Sequence, residues 1–231
     1  MKKEQVIAID GPSGSGKSTI AKKLSHQLGI IYIDTGAMFR SLGLYFSQFN
    51  IDFSKDSLTE NEINILNEKM KTLDFQYGVS DEILVQISGE DWTHKIREHH
   101  VSALASNISK HEVIRDYIKD LEREIVAQRW AILDGRDIGT VVFPNAVLKV
   151  YLTATAQVRG ERRFNQLKNK GSHVSLENII SDIEKRDYQD MNRDVAPLKQ
   201  ADDALFIDSS TLSIDDVVEK ILIAFKKVKN D

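Results

Sequence analysis

The feature that most constrains this chain is a glycine-rich segment that directly follows a run of apolar residues. Val6–Ile9 is apolar throughout and leads into Gly11-x-x-x-x-Gly16-Lys17-Ser18. That spacing is the Walker A pattern, in which glycines permit a tight loop and successive backbone N–H groups bind one anion. The helix that is predicted next directs its positive N-terminal end at the same anion. The segment therefore predicts a strand, a phosphate-binding loop and a helix.

The residue types in this loop suit a nucleoside triphosphate. Lys17 supplies positive charge beside the phosphates, and Ser18 offers its hydroxyl to Mg²⁺. A turn rich in glycine and serine that binds nothing is the alternative, and the flanking strand and helix argue against it. The predicted ATP-binding residues are Gly11, Pro12, Ser13, Gly14, Ser15, Gly16, Lys17, Ser18 and Thr19.

Composition excludes several classes of protein. The chain has 231 residues, of which 41% are hydrophobic and 29% charged, as in ordinary globular proteins. It has no cysteine, which excludes disulfides, thiolate metal sites and cysteine nucleophiles. With 31 basic against 35 acidic residues and no apolar run near the ~20 residues of a membrane span, neither nucleic acid nor a membrane is an expected partner. The N-terminus runs directly into a strand rather than a signal peptide, so we expect a cytoplasmic protein, by default a monomer.

Strand and helix patterns alternate along the chain, which predicts an α/β fold. We expect a doubly wound parallel sheet of five strands with crossover helices. Short alternating strands beyond residue 52 predict a small inserted α+β lobe, and two helices flank a polar turn at 168–172. The predicted organisation is core with the P-loop at 1–51, an inserted lobe at 52–100, core at 101–155, a helical segment at 156–192, and core at 193–231.

Charged residues cluster where two predicted strands end, and open α/β sheets bind ligands outside those ends. Asp134 follows a predicted apolar strand, Ala131–Leu133, where P-loop proteins place the acidic residue near Mg²⁺, so we expect it to act through a water molecule. The loop after it presents Arg136 and Asp137. Thr35 is expected to cap the helix that begins near Gly36 after the second strand, and Arg40 belongs to the first turns of that helix. A structural turn and a solvent-exposed arginine are the simpler alternatives.

Two sets of charged residues share helix faces further along the chain. Arg159, Arg162 and Arg163 are spaced at i, i+3 and i+4. Arg186, Asp190 and Arg193 are spaced at i, i+4 and i+7. A salt-bridged surface explains either set alone. Beside a P-loop, however, a group of arginines favours the binding of polyphosphate.

Four segments together resemble the bacterial cytidylate kinase family. They are Gly11–Ser18, Asp34–Arg40, Asp134–Pro144 and Arg186–Leu198, and they follow the family's order and spacing across nearly the whole chain. The third segment is specific within the wider group of nucleoside monophosphate kinases. The resemblance implies that ATP, with Mg²⁺, phosphorylates CMP or dCMP to CDP or dCDP.

The resemblance also implies which residues touch each substrate. Those around the CMP phosphate are Thr35, Arg40, Arg136 and Arg193; those facing cytosine are Ser106, Arg115 and Asp137; those by the sugar are Arg186 and Asp190. The resemblance implies that the inserted lobe at 52–100 binds the monophosphate and that 156–192 is a helical lid with its following helix. The lid arginines are then Arg159, Arg162 and Arg163, and the segment 201–210 lines the adenine. The catalytic set is thus Lys17, Arg136, Arg159, Arg162 and Arg193.

Three alternatives share the Walker A start. A P-loop kinase of another small metabolite, such as shikimate or gluconate, usually lacks the inserted lobe and the Asp134–Pro144 segment. A GTPase needs an Asn-Lys-x-Asp sequence, which Asn169–Ser172 does not provide. A catalytically silent nucleotide-binding protein would not need all of the charged residues named above.

Overall fold

The computed structural model describes residues 3–80, 82–98, 100–127, 129–169 and 174–230. The chain forms two compact units, Met1–Asp34 with Val126–Asp231, and Thr35–Ile125. In chain order the elements are β1 (Glu4–Asp10), α1 (Lys17–Leu28), β2 (Ile31–Asp34), α2 (Thr35–Phe46), α3 (Glu60–Lys71), β3 (Phe75–Tyr77), β4 (Val85–Ile87), β5 (Glu90–Asp91), α4 (Val101–Ile108), α5 (Glu112–Val126), β6 (Ala131–Gly135), β7 (Ala146–Thr153), α6 (Ala156–Lys168), α7 (Leu176–Asn192), β8 (Leu205–Asp208) and α8 (Ile214–Asn230).

The first unit is built on a parallel five-stranded sheet in the order β2-β6-β1-β7-β8. The central strand β1 is buried from Val6 to Asp10, which explains why its sequence is continuously apolar rather than alternating. Helices α1 and α8 pack against the sheet through residues that include Ile20, Leu24 and Ile221. The α/β fold with a parallel five-stranded sheet is therefore confirmed.

The register of the sheet brings polar residues to one edge. At the carboxyl ends of neighbouring strands, Asp10 of β1 pairs with Gly135 of β6, and Asp34 of β2 pairs with Asp134 of β6. The strand β6 extends two residues beyond the predicted Ala131–Leu133, so Asp134 lies within it rather than after it. Asp10, Asp34 and Asp134 therefore lie at the same edge of the sheet.

Helices α6 and α7 form a pair with its own small apolar cluster. Leu167 of α6 packs with Ile179 and Ile183 of α7. The two helices approach closely at Gly160, where an added Cβ would lie 2.4 Å from Cγ1 of Ile180. Most of the polar turn predicted between them lies outside the described residues. The helices themselves begin and end close to the predicted positions.

The second unit combines helices with a small antiparallel sheet in the order β3-β4-β5. Its helix α3 begins with a capping box between Thr59 and Glu62. Trp92 and Ile96 pack with β4 and α2 in a separate apolar cluster. The predicted lobe at 52–100 lies within this unit, and its boundaries as a lobe of its own stay a prediction.

Local differences from the sequence predictions are small but informative. Helix α2 starts at Thr35 itself, whereas the sequence placed Thr35 as a cap before Gly36. A π-helical turn at Ile138–Val142 and a 3₁₀ turn at Lys95–Arg97 were not predicted, because short turns leave little periodicity in a sequence. Among the helices that the structure describes, none is both long and apolar enough to cross a membrane.

Candidate active site

The phosphate-binding loop connects β1 to α1 and depends on two glycines. Gly11 has φ of 151°, and a Cβ there would lie 2.0 Å from the carbonyl oxygen of Leu152 on β7. A side chain at this position is sterically excluded. Gly16 caps the start of α1 in the left-handed region, at φ of 96°. The loop therefore has the backbone shape that the Walker A spacing predicts.

Lys17 is buried inside this loop. Its Nζ donates to the carbonyl oxygens of Gly11 and Pro12, at 2.8 Å each. The pKa of Lys17 is lowered to about 7, first by burial and then by the positive charge of Arg136, while nearby carboxylates, first that of Asp134, act in the opposite direction. The ammonium group is thus hydrogen-bonded to two neutral oxygens, and an added anion would favour its charged form.

A serine, a tyrosine and two carboxylates meet beside the loop. The Ser18 hydroxyl donates to Oδ2 of Asp134 over 2.9 Å, and the Tyr32 hydroxyl donates to Oδ1 over 2.7 Å. Burial and the neighbouring charge of Asp34 raise the pKa of Asp134, whereas Lys17 and the two hydroxyls lower it. A cation placed here would favour the ionised form of Asp134.

These oxygens match the ligands that a hard divalent cation takes. Mg²⁺ is usually held by one or two carboxylates together with substrate phosphates, rather than by a complete protein cage. Within the described ranges, no group of three or more histidine or acidic side chains could hold a metal alone. The pairing of Ser18 with Asp134 therefore fits a metal that arrives with a phosphate ligand.

Arg136 is held by a buried carboxylate. Its Nε donates to Oδ2 of Asp190 on α7 over 2.7 Å, with the side chains only 18% and 5% exposed. Burial lowers the pKa of Arg136, but the charge and hydrogen bond of Asp190, together with the charges of Asp134 and Asp187, outweigh it and the net change is upward. Burial likewise raises the pKa of Asp190, and the combined charges of Arg136, Arg186 and Arg193 bring it below its usual value. Arg186, Asp190 and Arg193 therefore belong to one electrostatic cluster.

Arg193 and Asp137 are both buried at the rim of this cluster. Arg193 donates to the carbonyl oxygen of Ala196 from Nε, and its guanidinium lies 3.8 Å from carboxylate oxygens of both Asp137 and Asp190. Asp137 precedes the π-helical turn, whose N–H groups at Thr140 and Val141 bond to its backbone carbonyl oxygen. The structure thus brings Asp137, a residue expected to face the base, into the arginine cluster.

Arg159 joins the lid helices to the phosphate-binding loop. Its Nε donates to Ala154, one terminal nitrogen donates to the carbonyl oxygen of Ser13 over 2.9 Å, and the other pairs with Asp187 over 2.6 Å. The second carboxylate oxygen of Asp187, Oδ1, is buried without a hydrogen-bond partner. Arg159 therefore touches the phosphate-binding loop directly.

Arg162 is held by neutral oxygens. Its guanidinium donates to the hydroxyl of Ser209 over 3.2 Å and to the carbonyl oxygen of Ser209 over 2.7 Å. The Ser209 hydroxyl in turn lies within hydrogen-bond distance of the carbonyl oxygens of Thr153 and Ser15. Arg163, which lies on the same helix, is partly exposed. The segment predicted to line adenine thus contacts both the loop and α6.

The other four predicted CMP residues lie in the second unit. Thr35 is buried at the start of α2, and Arg40 is partly exposed on the same helix. Arg115 of α5 donates to the carbonyl oxygen of Ser109 over 2.9 Å, and the Ser109 hydroxyl donates to the carbonyl oxygen of Ser106 on α4. Within this unit, Arg115 and Ser106 are therefore connected through Ser109.

Three residues of the cluster were missed in the sequence. Tyr32 bonds to Asp134, and Asp187 pairs with Arg159. Asp10 ends β1 and accepts two backbone hydrogen bonds. Asp10 could have been found by the same argument that found Asp134, because it is a carboxylate at the end of an apolar strand. Asp187 belongs to the Arg186–Leu198 segment but was given no role there, and Tyr32 carries no signal of its own. Ser209, which bonds to Arg162, lies in the segment 201–210 that was expected to line the adenine.

Comparison with known proteins agrees with the family that the sequence motifs resemble. Residues 7–227 match a family model described as cytidylate kinase. The chain is 46% identical over 227 residues to a cytidylate kinase of Caldicellulosiruptor bescii, covering 97% of each chain. It is 45% identical over 223 residues to that of Caldicellulosiruptor saccharolyticus, covering 96% of each.

A solved structure of an uncharacterised protein from Eubacterium ventriosum matches with a TM-score of 0.50 at 11% identity, covering 96% of this chain and 98% of the other. That likeness concerns the fold alone. The family model spans the loop, the Asp134–Pro144 segment and the arginine helices alike. The chain therefore belongs to the cytidylate kinase family.

Proposed function

We propose that this enzyme transfers the γ-phosphoryl group of ATP to CMP or dCMP, giving ADP and CDP or dCDP. The observation that carries the proposal is that Lys17, buried at the start of α1, lies near enough to Arg136, which follows β6, for the two positive charges to act on each other. After burial, the charge of Arg136 is the main reason why the pKa of Lys17 falls. Two like charges in one buried place cost free energy, and a polyphosphate anion reverses that cost.

On the donor side, the residues from Gly11 to Thr19 bind the phosphates of ATP. The Ser18 hydroxyl would hold Mg²⁺ directly, and Asp134 would hold it through a water molecule, since both are oxygen donors at hydrogen-bond distance from one another. When bound, the ion neutralises phosphate oxygens of ATP. Arg162 and the segment 201–210 that it contacts form the adenine side.

On the acceptor side, the roles follow the family pattern residue by residue. By that pattern the cytosine-binding role is assigned to Asp137, Ser106 and Arg115. The residues assigned to the phosphate and sugar of CMP are Thr35, Arg40, Arg136, Arg186, Asp190 and Arg193. The cluster of Arg136, Arg186 and Arg193 around Asp190 supports this assignment, because it concentrates positive charge in a buried place.

The chemistry needs alignment and charge neutralisation rather than a general base. The acceptor is a phosphate oxygen that is already anionic near neutral pH, so no proton has to be removed from it. Lys17, Arg136 and Arg159 stabilise charge on the transferring group. Arg159 is placed for this role by its bond to the carbonyl oxygen of Ser13 in the loop.

The segment 156–192, with helices α6 and α7, acts as the lid. The apolar cluster between the two helices packs them against each other, which suits a pair that moves together. A closed lid excludes water, which would otherwise hydrolyse ATP. Arg159 and Arg162 are carried by this pair, so closure brings charge and water exclusion together.

The choice of base rests on Asp137. Cytosine presents an amino donor at N4, and a carboxylate accepts a hydrogen bond from it. Uracil presents an acceptor, O4, at the same place, which leaves the carboxylate without a partner at a cost of about 1–3 kcal/mol. We therefore expect a strong preference for CMP and dCMP over UMP.

One assay tests the reaction against its alternatives. ATP and Mg²⁺ are incubated with the protein and, separately, with CMP, dCMP, UMP, AMP, GMP, shikimate or gluconate, and ADP formation is followed. We expect turnover with CMP and dCMP well above all others. ADP formation with shikimate or gluconate alone would identify a kinase of another metabolite, and no turnover with any acceptor would identify a silent nucleotide-binding protein.

The variant Asp137→Asn tests base recognition. An amide side chain can donate to O4 of uracil, so the ratio of kcat/KM for CMP over UMP should fall by roughly 10-fold or more. Asp215→Asn is the matched control, because Asp215 is an exposed carboxylate of the same unit that pairs with Lys23 at the surface and has no assigned role. An unchanged ratio in Asp137→Asn would refute the role given to Asp137.

A further inference from the structure

The π-helical turn that follows Asp137 is not capped by the side chain of that residue. The first N–H groups of any helical turn have no acceptor within the turn. In this turn, Ile138–Val142, the side chain of the preceding residue Asp137 makes no capping hydrogen bond. The N–H groups of Ile138 and Gly139 are therefore satisfied from elsewhere in the fold.

Asp10 supplies both acceptors from a different strand. Its Oδ1 accepts from the N–H of Ile138 over 2.9 Å, and its Oδ2 accepts from the N–H of Gly139 over 2.7 Å. The side chain is buried, with 5% of the residue exposed. Burial raises the pKa of Asp10 to about 6, and the two N–H groups act against that rise. Each carboxylate oxygen is thus committed to one backbone N–H group.

The turn fits closely against this carboxylate. A Cβ added to Gly139 would lie 3.1 Å from both Cγ and Cδ of Lys149 and 3.4 Å from Oδ2 of Asp10. The first contact distance is shorter than ordinary van der Waals contact between carbon atoms. The backbone of the turn therefore has one well-defined position against β1 and β7.

The same residue also sets the start of the phosphate-binding loop. Asp10 is the last residue of β1 and immediately precedes Gly11, which is packed against Leu152. Its backbone thus leads into the ATP-binding loop while its side chain holds the turn that follows Asp137. A carboxylate with both oxygens bonded to backbone N–H groups is poorly suited to bind metal or move a proton.

We propose that Asp10 is a positioning residue, which orients Asp137 for recognition of the base by holding the turn Ile138–Val142. The proposal rests on the proposed function, since it concerns the choice between CMP and UMP. The resemblance assigns no role to Asp10. Its effect is transmitted through Asp137, whose backbone is continuous with the two N–H groups that Asp10 binds.

The variant Asp10→Asn tests this role. The amide keeps one acceptor oxygen but turns an NH₂ group towards the second backbone N–H, so the turn must shift. We expect the CMP-to-UMP ratio of kcat/KM to fall by about 10-fold, mainly through a higher KM for CMP, with the KM for ATP changed by less than about 2-fold. A merely structural residue would lower the amount of active enzyme and leave both KM values and the ratio unchanged.

Glu4→Gln is the matched control. Glu4 lies at the other end of β1, and its carboxylate also accepts a hydrogen bond from a backbone N–H, that of Asn145, over 3.2 Å. The same change from carboxylate to amide on the same strand should leave the ratio as in the wild type. A fall in the ratio with Glu4→Gln equal to that with Asp10→Asn would overturn the proposal, because the effect would then be general to the strand.

A double variant tests whether Asp10 acts through Asp137. In the Asp137→Asn background, Asp10→Asn should not lower the ratio further, because residues that act as one unit are not additive. A further fall of similar size in that background would show an independent effect and overturn the proposal. If Asp10→Asn does not fold, Gly139→Ala displaces the turn without changing charge and should lower the ratio in the same direction.

The result separates this inference from the proposed function. If the wild type phosphorylates CMP and the ratio is unchanged in Asp10→Asn, or in Gly139→Ala where Asp10→Asn does not fold, the inference fails and the function stands. If the wild type does not phosphorylate CMP, the proposed function fails first and the inference fails with it.

Discussion

The lysine of the phosphate-binding loop and the arginines around it differ in the groups that bond to their buried positive charges. Lys17 is bonded to two carbonyl oxygens, and its pKa is lowered to about 7. Arg136 is bonded to the carboxylate of Asp190, and its pKa is raised. Both side chains lie within the same unit and influence each other.

This difference in bonding partners indicates which of the two cations is available to bind an incoming phosphate. An arginine paired with a buried carboxylate is already neutralised, so a phosphate must compete with that carboxylate for it. The ammonium group of Lys17 is hydrogen-bonded to carbonyl oxygens, and the carboxylates that act on it, first that of Asp134, do so without bonding to it, so a phosphate does not have to displace a carboxylate. The loop therefore contributes mainly to binding and charge stabilisation, whereas the arginine–carboxylate pairs also hold the fold together.

Lys17→Ala should have the largest effect on activity. Removing one preorganised cation from a phosphoryl-transfer site commonly lowers kcat by about 10²–10³-fold, and we expect at least that loss in a folded protein. Steady-state kinetics with ATP and CMP, together with circular dichroism, would measure both properties. Lys23→Ala is the control, because Lys23 lies on the same helix and pairs with Asp215 at the surface. Near-normal turnover of Lys17→Ala would contradict the role given to the loop.

Arg136→Ala should instead lower stability markedly. It leaves the buried carboxylate of Asp190 without its closest partner, although Arg193 and Arg186 partly compensate. We expect the free energy of unfolding to fall by about 2 kcal/mol, as measured by urea denaturation of the ligand-free protein.

The double variant Arg136→Ala/Asp190→Ala is the control for that interpretation. It removes both charges, so it should recover part of the lost free energy without restoring activity. If the double variant is as unstable as the sum of the two single variants, Asp190 does not hold Arg136 through charge and the contrast with Lys17 loses its basis.

The sequence predicts the loop better than it predicts the partners of the arginines, for a physical reason. The strand, the glycines and Lys17 are local, so spacing alone predicts them. The bonds of Asp10 to Ile138 and of Arg162 to Ser209 join residues far apart in the sequence. Such pairs depend on the order of the strands and on how α6 lies beside β8. Parallel strands bring Asp10 and Gly135 together only once the sheet has formed, and no local pattern encodes that pairing.

The smallest expected effect is on the pH dependence of stability, and this measurement reports on Lys17 alone. The folded state lowers the pKa of Lys17 from 10.5 to about 7, so between these values the unfolded chain binds a proton that the folded protein does not. Stability due to this group therefore rises as pH increases from about 7 towards 10.5, and the cost is greatest below pH 7. Relative to Lys17→Met, the wild type should gain at least about 1 kcal/mol across this window.

Denaturation in buffers without phosphate or sulfate would measure that gain, because either anion could occupy the loop. A saturating, non-hydrolysable ATP analogue provides the control: its phosphates restore the charged form of Lys17 in the folded state, so the pH dependence should largely disappear. A difference between wild type and Lys17→Met that is the same at every pH would mean that Lys17 keeps its ordinary pKa in the folded protein. The charge of Lys17 would then be balanced within the folded protein, as the charges of the arginines are. Lys17 would not differ from them as the cation available to bind phosphate.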